Sequence, residues 1–317
     1  MEIVSTKVNF YGDGAKYFGI LIVNLLLTIV TLGLYYAWAR AKNLQYLYGE
    51  TEFAGSRFTF HGTGREMFKG FVKAIAIVLM LILVSQAGQF SGSKVIALLG
   101  GLIYTIGILL LIPIAIHGGL RYRMSRTSWR GIHFGYRGDL KELFDICIKG
   151  ILLTIFTLGI YSSWFHCNLR RYLESNIRLG NCKFSFEGKG GDLFWINFKG
   201  LFLSIFTLGI YLFWYIRNLN HYSINNSRIE QDGNICSFKS SLAPGDVFVT
   251  GFIIYFLVVF TLGLGTPWAI LRQMRMVLDN VELEGAFNPD AVIQTEENYS
   301  DATGDDLLSM LDIGLDF

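Results

Sequence analysis

The sequence predicts an all-α, multi-pass membrane protein with interfacial helices and short β-hairpins, and three observations predict it. Of its 317 residues 52% are hydrophobic and only 16% are charged, against about 25% charged residues in soluble domains. Long runs carry no charge at all, as from Val95 to Ile116, and a run of that length matches the ~20 residues needed to span hydrocarbon. Third, an apolar unit punctuated by Thr-Leu-Gly recurs along the chain.

Six windows have the length and composition of transmembrane or re-entrant helices: 17–37, 66–86, 95–117, 143–165, 193–215 and 246–269. The second and third are the plainest spans. In the fourth and fifth, Lys149 and Lys199 shorten the apolar core to Gly150–Phe165 and Gly200–Tyr215, so these read as short spans or as segments that dip in and return. Residues 1–16 are mixed polar and no small-residue cleavage site follows the first apolar run, so the N-terminus is expected to be retained.

The Thr-Leu-Gly marker is followed five residues after its glycine by Trp: Gly33 with Trp38, Gly159 with Trp164, Gly209 with Trp214 and Gly263 with Trp268. The units around Gly33 and Gly159 align without a gap, pairing Gly12 with Gly138, Tyr46 with Tyr172 and Gly62 with Gly188. The spacing divides residues 1–287 into a repeated membrane domain with units at about 10–60, 60–134, 134–186, 186–238 and 238–287, leaving 288–317 as an acidic tail. The second unit lacks the marker and has gained an apolar helix. Within a unit, the first helix is expected to stop at the glycine, which adopts the left-handed C-cap conformation without a Cβ penalty. A second helix then starts; in the last unit Thr266-Pro267-Trp268 reads as N-cap, N1 and N2. Gly33, Gly159, Gly209, Gly263 and Pro267 are therefore the helix-break residues. Short alternating stretches such as Arg57-Phe58-Thr59-Phe60 read as strands of small hairpins that pair with one another outside the membrane.

Phe60-His61-Gly62-Thr63-Gly64, Phe186-Glu187-Gly188-Lys189-Gly190 and the Thr-Leu-Gly-Ile-Tyr-x-x-Trp segments at 157–164 and 207–214 carry a resemblance to the YjgN family, bacterial inner-membrane proteins gathered under a domain of unknown function. It covers nearly the whole chain and implies a multi-pass protein of the bacterial inner membrane. It brings no catalytic residues.

No catalytic or metal site is expected, nor a cofactor. The four cysteines lack C-x-x-C spacing, the five histidines lack ligand spacing, and no nucleophile motif appears, so the chain does not read as an enzyme. The Gly-x-Gly elements before helices read as structural turns, with phosphate or headgroup binding as the alternative. Candidate interface or headgroup-binding residues are Trp38, Arg40, Lys69, Lys149, Trp164, Arg170, Arg171, Lys199, Trp214, Arg217 and Trp268, because aromatic rings followed by Arg or Lys sit well at headgroup depth. Lys69-Gly70, Lys149-Gly150 and Lys199-Gly200 look like one recurring helix mouth, with snorkelling lysines as the plain account and an anion entry as the sharper one.

Residues 288–317 hold eight acids and no Lys or Arg; the remainder, with 27 basic and 17 acidic residues, is +10. A basic membrane body suits the bilayer and its anionic lipids, and nucleic acid is not an expected partner. Strict alternation of six spans would invert units one and three relative to each other and place 166–192 outside, although that segment is basic. The leading expectation for function is a transporter- or channel-like protein for a small solute or lipid. The alternative is a membrane scaffold or assembly factor that binds a protein partner through its hairpins and the acidic tail, where Leu307, Leu308, Leu311 and Leu315 are set among acids.

Overall fold

A computed structural model describes residues 5–90 and 92–295; the acidic tail from 296 onward, with its expected docking helix, lies outside the described residues. Among these residues, strand, helix, helix, strand is the repeating order. The five repeats are β1 (Ser5–Phe10), α1 (Gly14–Val30), α2 (Tyr36–Gly49) and β2 (Thr51–Phe53); β3 (Ser56–Phe60), α3 (Gly64–Phe90), α4 (Lys94–Ser125) and β4 (Thr127–Trp129); β5 (Ile132–Tyr136), α5 (Leu140–Phe156), α6 (Ser162–Ser175) and β6 (Ile177–Leu179); β7 (Cys182–Phe186), α7 (Gly190–Phe206), α8 (Leu212–Asn225) and β8 (Ser227–Gln231); and β9 (Asn234–Ser240), α9 (Pro244–Phe260), α10 (Thr266–Leu278) and β10 (Val281–Glu284).

The all-α reading is overturned: the strands join into one closed, antiparallel ten-stranded barrel in sequence order, sealed where Ser5, Thr6 and Lys7 pair with Glu284, Leu283 and Glu282. The small hairpins do pair with one another, but around a full circle. Each strand is only three to seven residues long, too short to announce a sheet, and a lone hairpin is marginal in water. Closure leaves no unpaired edge. Along one rim the strands turn back tightly, with Ala54-Gly55, Arg130-Gly131 and Asp232-Gly233 all at positive φ, the conformation that matches strand twist in two-residue hairpins. Along the other rim every connection is a helical hairpin.

The barrel is filled. Trp129, Cys182, Cys236 and Leu283 are sealed from solvent in its centre with Phe53, Leu179 and Ile229. The Trp129 indole donates to the Phe53 and Ser56 carbonyls at 3.1 and 3.2 Å. Residues 285–295 then strap across the tight-turn rim: Phe287 stacks near Phe53 and Trp129, Gln231 and Asn288 exchange two hydrogen bonds of 2.9 Å, and Asn181 does the same with the backbone of Ile293.

The expectation of six transmembrane or re-entrant helices, one per window, is also corrected. Among the described residues only α3 and α4 are long and apolar enough to cross a bilayer. Windows 17–37, 143–165, 193–215 and 246–269 each run over a reversal into a second helix, because Leu-Gly at the marker takes positive φ at both residues and turns the chain back. The ten helices follow one another round a ring, each packed on its neighbours, with α10 returning to α1. All five hairpins leave the same rim of the barrel, so units one and three are not inverted.

Candidate functional site

The charge-free ends of the helical hairpins dominate the surface. No Lys, Arg, Asp or Glu lies between Lys16 and Arg40, Lys149 and Arg170, Lys199 and Arg217, or Asp246 and Arg272. At the four tips Leu32, Leu158, Leu208 and Leu262 are 93, 94, 96 and 94% exposed, and Val30, Phe156, Phe206 and Phe260 stand out beside them. In hydrocarbon a turn must satisfy its own backbone, because each unmatched N–H or C=O costs several kcal/mol.

These tips meet their turn N–H groups in one shared way. The Thr31 hydroxyl donates to the Leu27 carbonyl at 2.7 Å and accepts the Tyr35 N–H at 3.0 Å. Thr157 and Thr207 repeat both bonds, to Leu153 and Tyr161 and to Leu203 and Tyr211, and Thr261 repeats them with Leu257 and Gly265. Gly33, Gly159, Gly209 and Gly263, at φ near 90°, donate to the carbonyl five residues back at 2.7 to 2.8 Å, the long bond of a Schellman cap. Pro267 is buried in the first turn of α10. Gly265 is the cap residue there, and Thr266 donates its hydroxyl to Gly263 O at 2.6 Å instead of receiving a backbone N–H, which shifts the expected cap by one residue.

The candidate tryptophans are mostly wedges between repeats. Trp38 packs on Phe68 at 5.0 Å, Trp164 on Phe194 at 5.4 Å and Trp268 on Phe18 at 5.3 Å. Each indole lies so close to Gly64, Gly190 or Gly14 of the next unit that a Cβ there would come within 2.2 to 2.4 Å of it. The second glycine of Gly-x-Gly is thus a seat for tryptophan. For Trp214 the corresponding position of the next unit is Pro244 in place of glycine; Trp214 stacks on Tyr211 and stays 45% exposed. The first glycine has a matching reason: a Cβ at Gly62 or Gly188 would strike the rings of Phe60 or Phe186 and the hydroxyl of Tyr122 or Tyr222.

The basic candidates divide. Arg171 clamps the next unit, donating to Gly188 O at 2.8 Å. Arg170 pairs with Glu174 at 2.5 Å and lies over the Phe186 ring at 4.7 Å. Arg40 reaches Tyr36 at 3.4 Å and Arg217 reaches Asn218 at 3.0 Å. Lys69, Lys149 and Lys199 are exposed, and Lys149 faces Asp145 at 3.7 Å. Counted from Gly62, Gly138 and Gly188, Lys149 and Lys199 correspond to Lys73 and not to Lys69, and the residues after them, Ala74, Gly150 and Gly200, are all buried.

One set of residues escaped sequence reading. Gln45, His221 and Arg275 occupy the place of Arg171 and bond Gly62 O, Leu242 O and Gly12 O at 3.0, 2.9 and 3.1 Å. All four stand seven residues after a marker tryptophan; that constant spacing is the signal, hidden because Gln, Arg and His share only the capacity to donate. The four cysteines are buried, and in the barrel burial pushes the Cys182 thiol up to about 11. Among the described residues no cluster of three or more His, Cys, Asp or Glu has metal-binding geometry.

The chain matches, over residues 5–185 and 215–310, the family described as bacterial protein of unknown function, DUF898. It is similar to the inner membrane protein YjgN of Escherichia coli O157:H7, 33% identical over 172 residues, which is 53% of this chain and 41% of that protein. Against YjgN of Escherichia coli K12 the identity is 32% over 141 residues, 44% of this chain and 33% of that protein. Against YjgN of Salmonella typhimurium it is 32% over 149 residues, 44% and 35%. The chain thus covers between 33 and 41% of the length of these relatives. No solved structure matches it. With a family match over most of its length, this chain belongs to the DUF898 proteins, and the relatives it resembles are named inner membrane proteins.

Proposed function

We propose that this protein acts on lipid, as a transporter-like element that eases passage of lipid between leaflets, with one hairpin crossing the inner membrane and four entering from one face and returning. The supporting observation is the set of charge-free tips whose turn N–H groups are met within the turn itself. A first helix of 17 residues is about 25 Å long, and its polar first turn lies at the interface, so the tip ends short of the far side of a hydrocarbon layer of about 30 Å. Helices α3 and α4, with 27 and 32 residues, reach about 40 and 48 Å. Lipid beside the short hairpins must thin to meet them, which lowers the barrier to a headgroup passing through. The filled barrel gives no support to a solute pore along its axis.

The same topology accounts for charge. With every connection to the barrel on one face, Lys94 is the single Lys or Arg beyond the hydrocarbon and the other 26 of 27 lie in the barrel or on the barrel side of the hairpin tips, which favours the barrel in the cytoplasm by the positive-inside rule. The basic segment 166–192 then needs no exception. Proteoliposomes carrying a fluorescent headgroup-labelled lipid test the function. A membrane-impermeant quencher should remove signal from both leaflets; quenching of the outer leaflet alone, as in empty vesicles, overturns it.

A second reading, a scaffold for a protein partner, draws on the strap: Thr295 Oγ1 donates to Gly180 O at 2.7 Å, so the acidic tail departs from the rim farthest from the hairpins. Loss of a co-purifying protein on deletion of 296–317, with the barrel still folded, is its test.

A further inference from the structure

We infer that the ring of hairpins is a one-sided wedge that places this protein in membrane curved with its barrel on the convex face. The inference rests on the re-entrant reading above. In the barrel-side leaflet ten helices stand in a closed ring, each about 10 Å across with its side chains. Beyond the tips only α3 and α4 continue. The area taken from the two leaflets therefore differs by about fivefold.

The occupant of the exposed apolar faces is the acyl chains of the barrel-side leaflet. At the tips the hydroxyls of Thr31, Thr157, Thr207 and Thr261 accept the backbone N–H four residues on, so that donor does not reach for water, and the side chains around it are apolar. A partner helix is a poor fit there, since helix contacts inside membranes use small residues and the tips present Leu, Ile, Val and Phe. Small residues do occur where two helices touch: Gly88 and Gly100 bring α3 and α4 so close that a Cβ would lie 2.8 Å from Ile96 O or 3.2 Å from Val84 O. That contact holds the crossing pair slim in the far leaflet while the ring stays broad below it. Inserting more volume on one side expands that leaflet, and the expanded leaflet becomes the convex one.

The test uses the full chain in small sonicated and large extruded vesicles of one phospholipid mixture. Its own cysteines are buried and give little background for thiol labelling. Ile235→Cys, at an exposed position on β9, reports copy density and orientation; Leu208→Cys reports the depth of a tip. The wedge predicts several-fold more protein per unit area in the small vesicles, with the label at 235 facing out. Equal density in both, or a label facing in, overturns it. A tip label protected from aqueous maleimide on both faces keeps the re-entrant reading whatever the sorting shows, whereas labelling of position 208 from the face opposite the barrel sinks that reading by a separate result.

Discussion

The second repeat and the other four solve the same problem in opposite ways. All five connect neighbouring strands of the barrel through an apolar hairpin. In four, the turn is Thr-Leu-Gly, its N–H groups are met by a threonine hydroxyl and by nearby carbonyls, a Schellman bond among them, and its exposed side chains are apolar. In the second, α3 and α4 run on for another ten residues or more, and the connection around Gly92, Ser93 and Lys94 is polar. The difference fits the proposed topology, in which a turn that ends in lipid carries partners for its own N–H groups and a turn that emerges into water borrows them.

The sharpest way to break this comparison is to charge both kinds of turn. Leu32→Lys, Leu158→Lys or Leu208→Lys is expected to cost about 3 kcal/mol, the cost of Lys deep in a bilayer, while Phe90→Lys at the end of α3 costs about 0.5 kcal/mol or less. Membrane insertion and thermal unfolding in nanodiscs measure both; equal losses would show that both turns sit in the same medium. Next in size, Thr31→Val keeps the shape and removes the hydroxyl, leaving the Tyr35 N–H unmatched at about 2 kcal/mol. Thr31→Ser keeps the bond and should recover most of that loss.

A smaller effect sharpens the account of the glycine. Gly33→Ala at φ 92° should cost about 1 to 2 kcal/mol from the left-handed backbone alone, with open space around the new methyl. Gly14→Ala, by contrast, fails by collision with the Trp268 ring, and Trp268→Ala in the same chain should relieve it.

The smallest effect lies in the barrel wall. Burial and the facing His61 imidazole, 5.3 Å away, lower the pKa of His133, and Arg126 lowers it further; a hydrogen bond with the Ser125 backbone opposes them. Since the folded state prefers neutral His133, its contribution is present above the ordinary histidine pKa near 6.5 and is lost as pH falls through that range. His133→Gln should flatten that part of the pH profile of thermal unfolding; an unchanged slope would assign it elsewhere.

Much of this was legible in sequence. The apolar runs announced the bilayer, the Thr-Leu-Gly repeat announced the breaks at Gly33, Gly159, Gly209 and Gly263, and Phe-x-Gly-x-Gly announced the family. Other features were not. Strands such as Thr51–Phe53 are too brief for period-two alternation to be seen. The clamp of Gln45, Arg171, His221 and Arg275 unites unlike side chains by position. Lys69-Gly70 imitated Lys149-Gly150, while the register of the repeat assigns that place to Lys73.

By itself the sequence determined the solvent, because transfer of apolar side chains into lipid depends on composition and length over a local window. It also determined where each helix stops, because a left-handed glycine is a local choice. Only the tertiary structure decided that five hairpins leave one rim of a closed barrel. That outcome depends on Ser5 meeting Glu284 and on indoles seated against glycines of the next repeat, contacts between residues far apart in the chain whose energy exists only once the circle is complete.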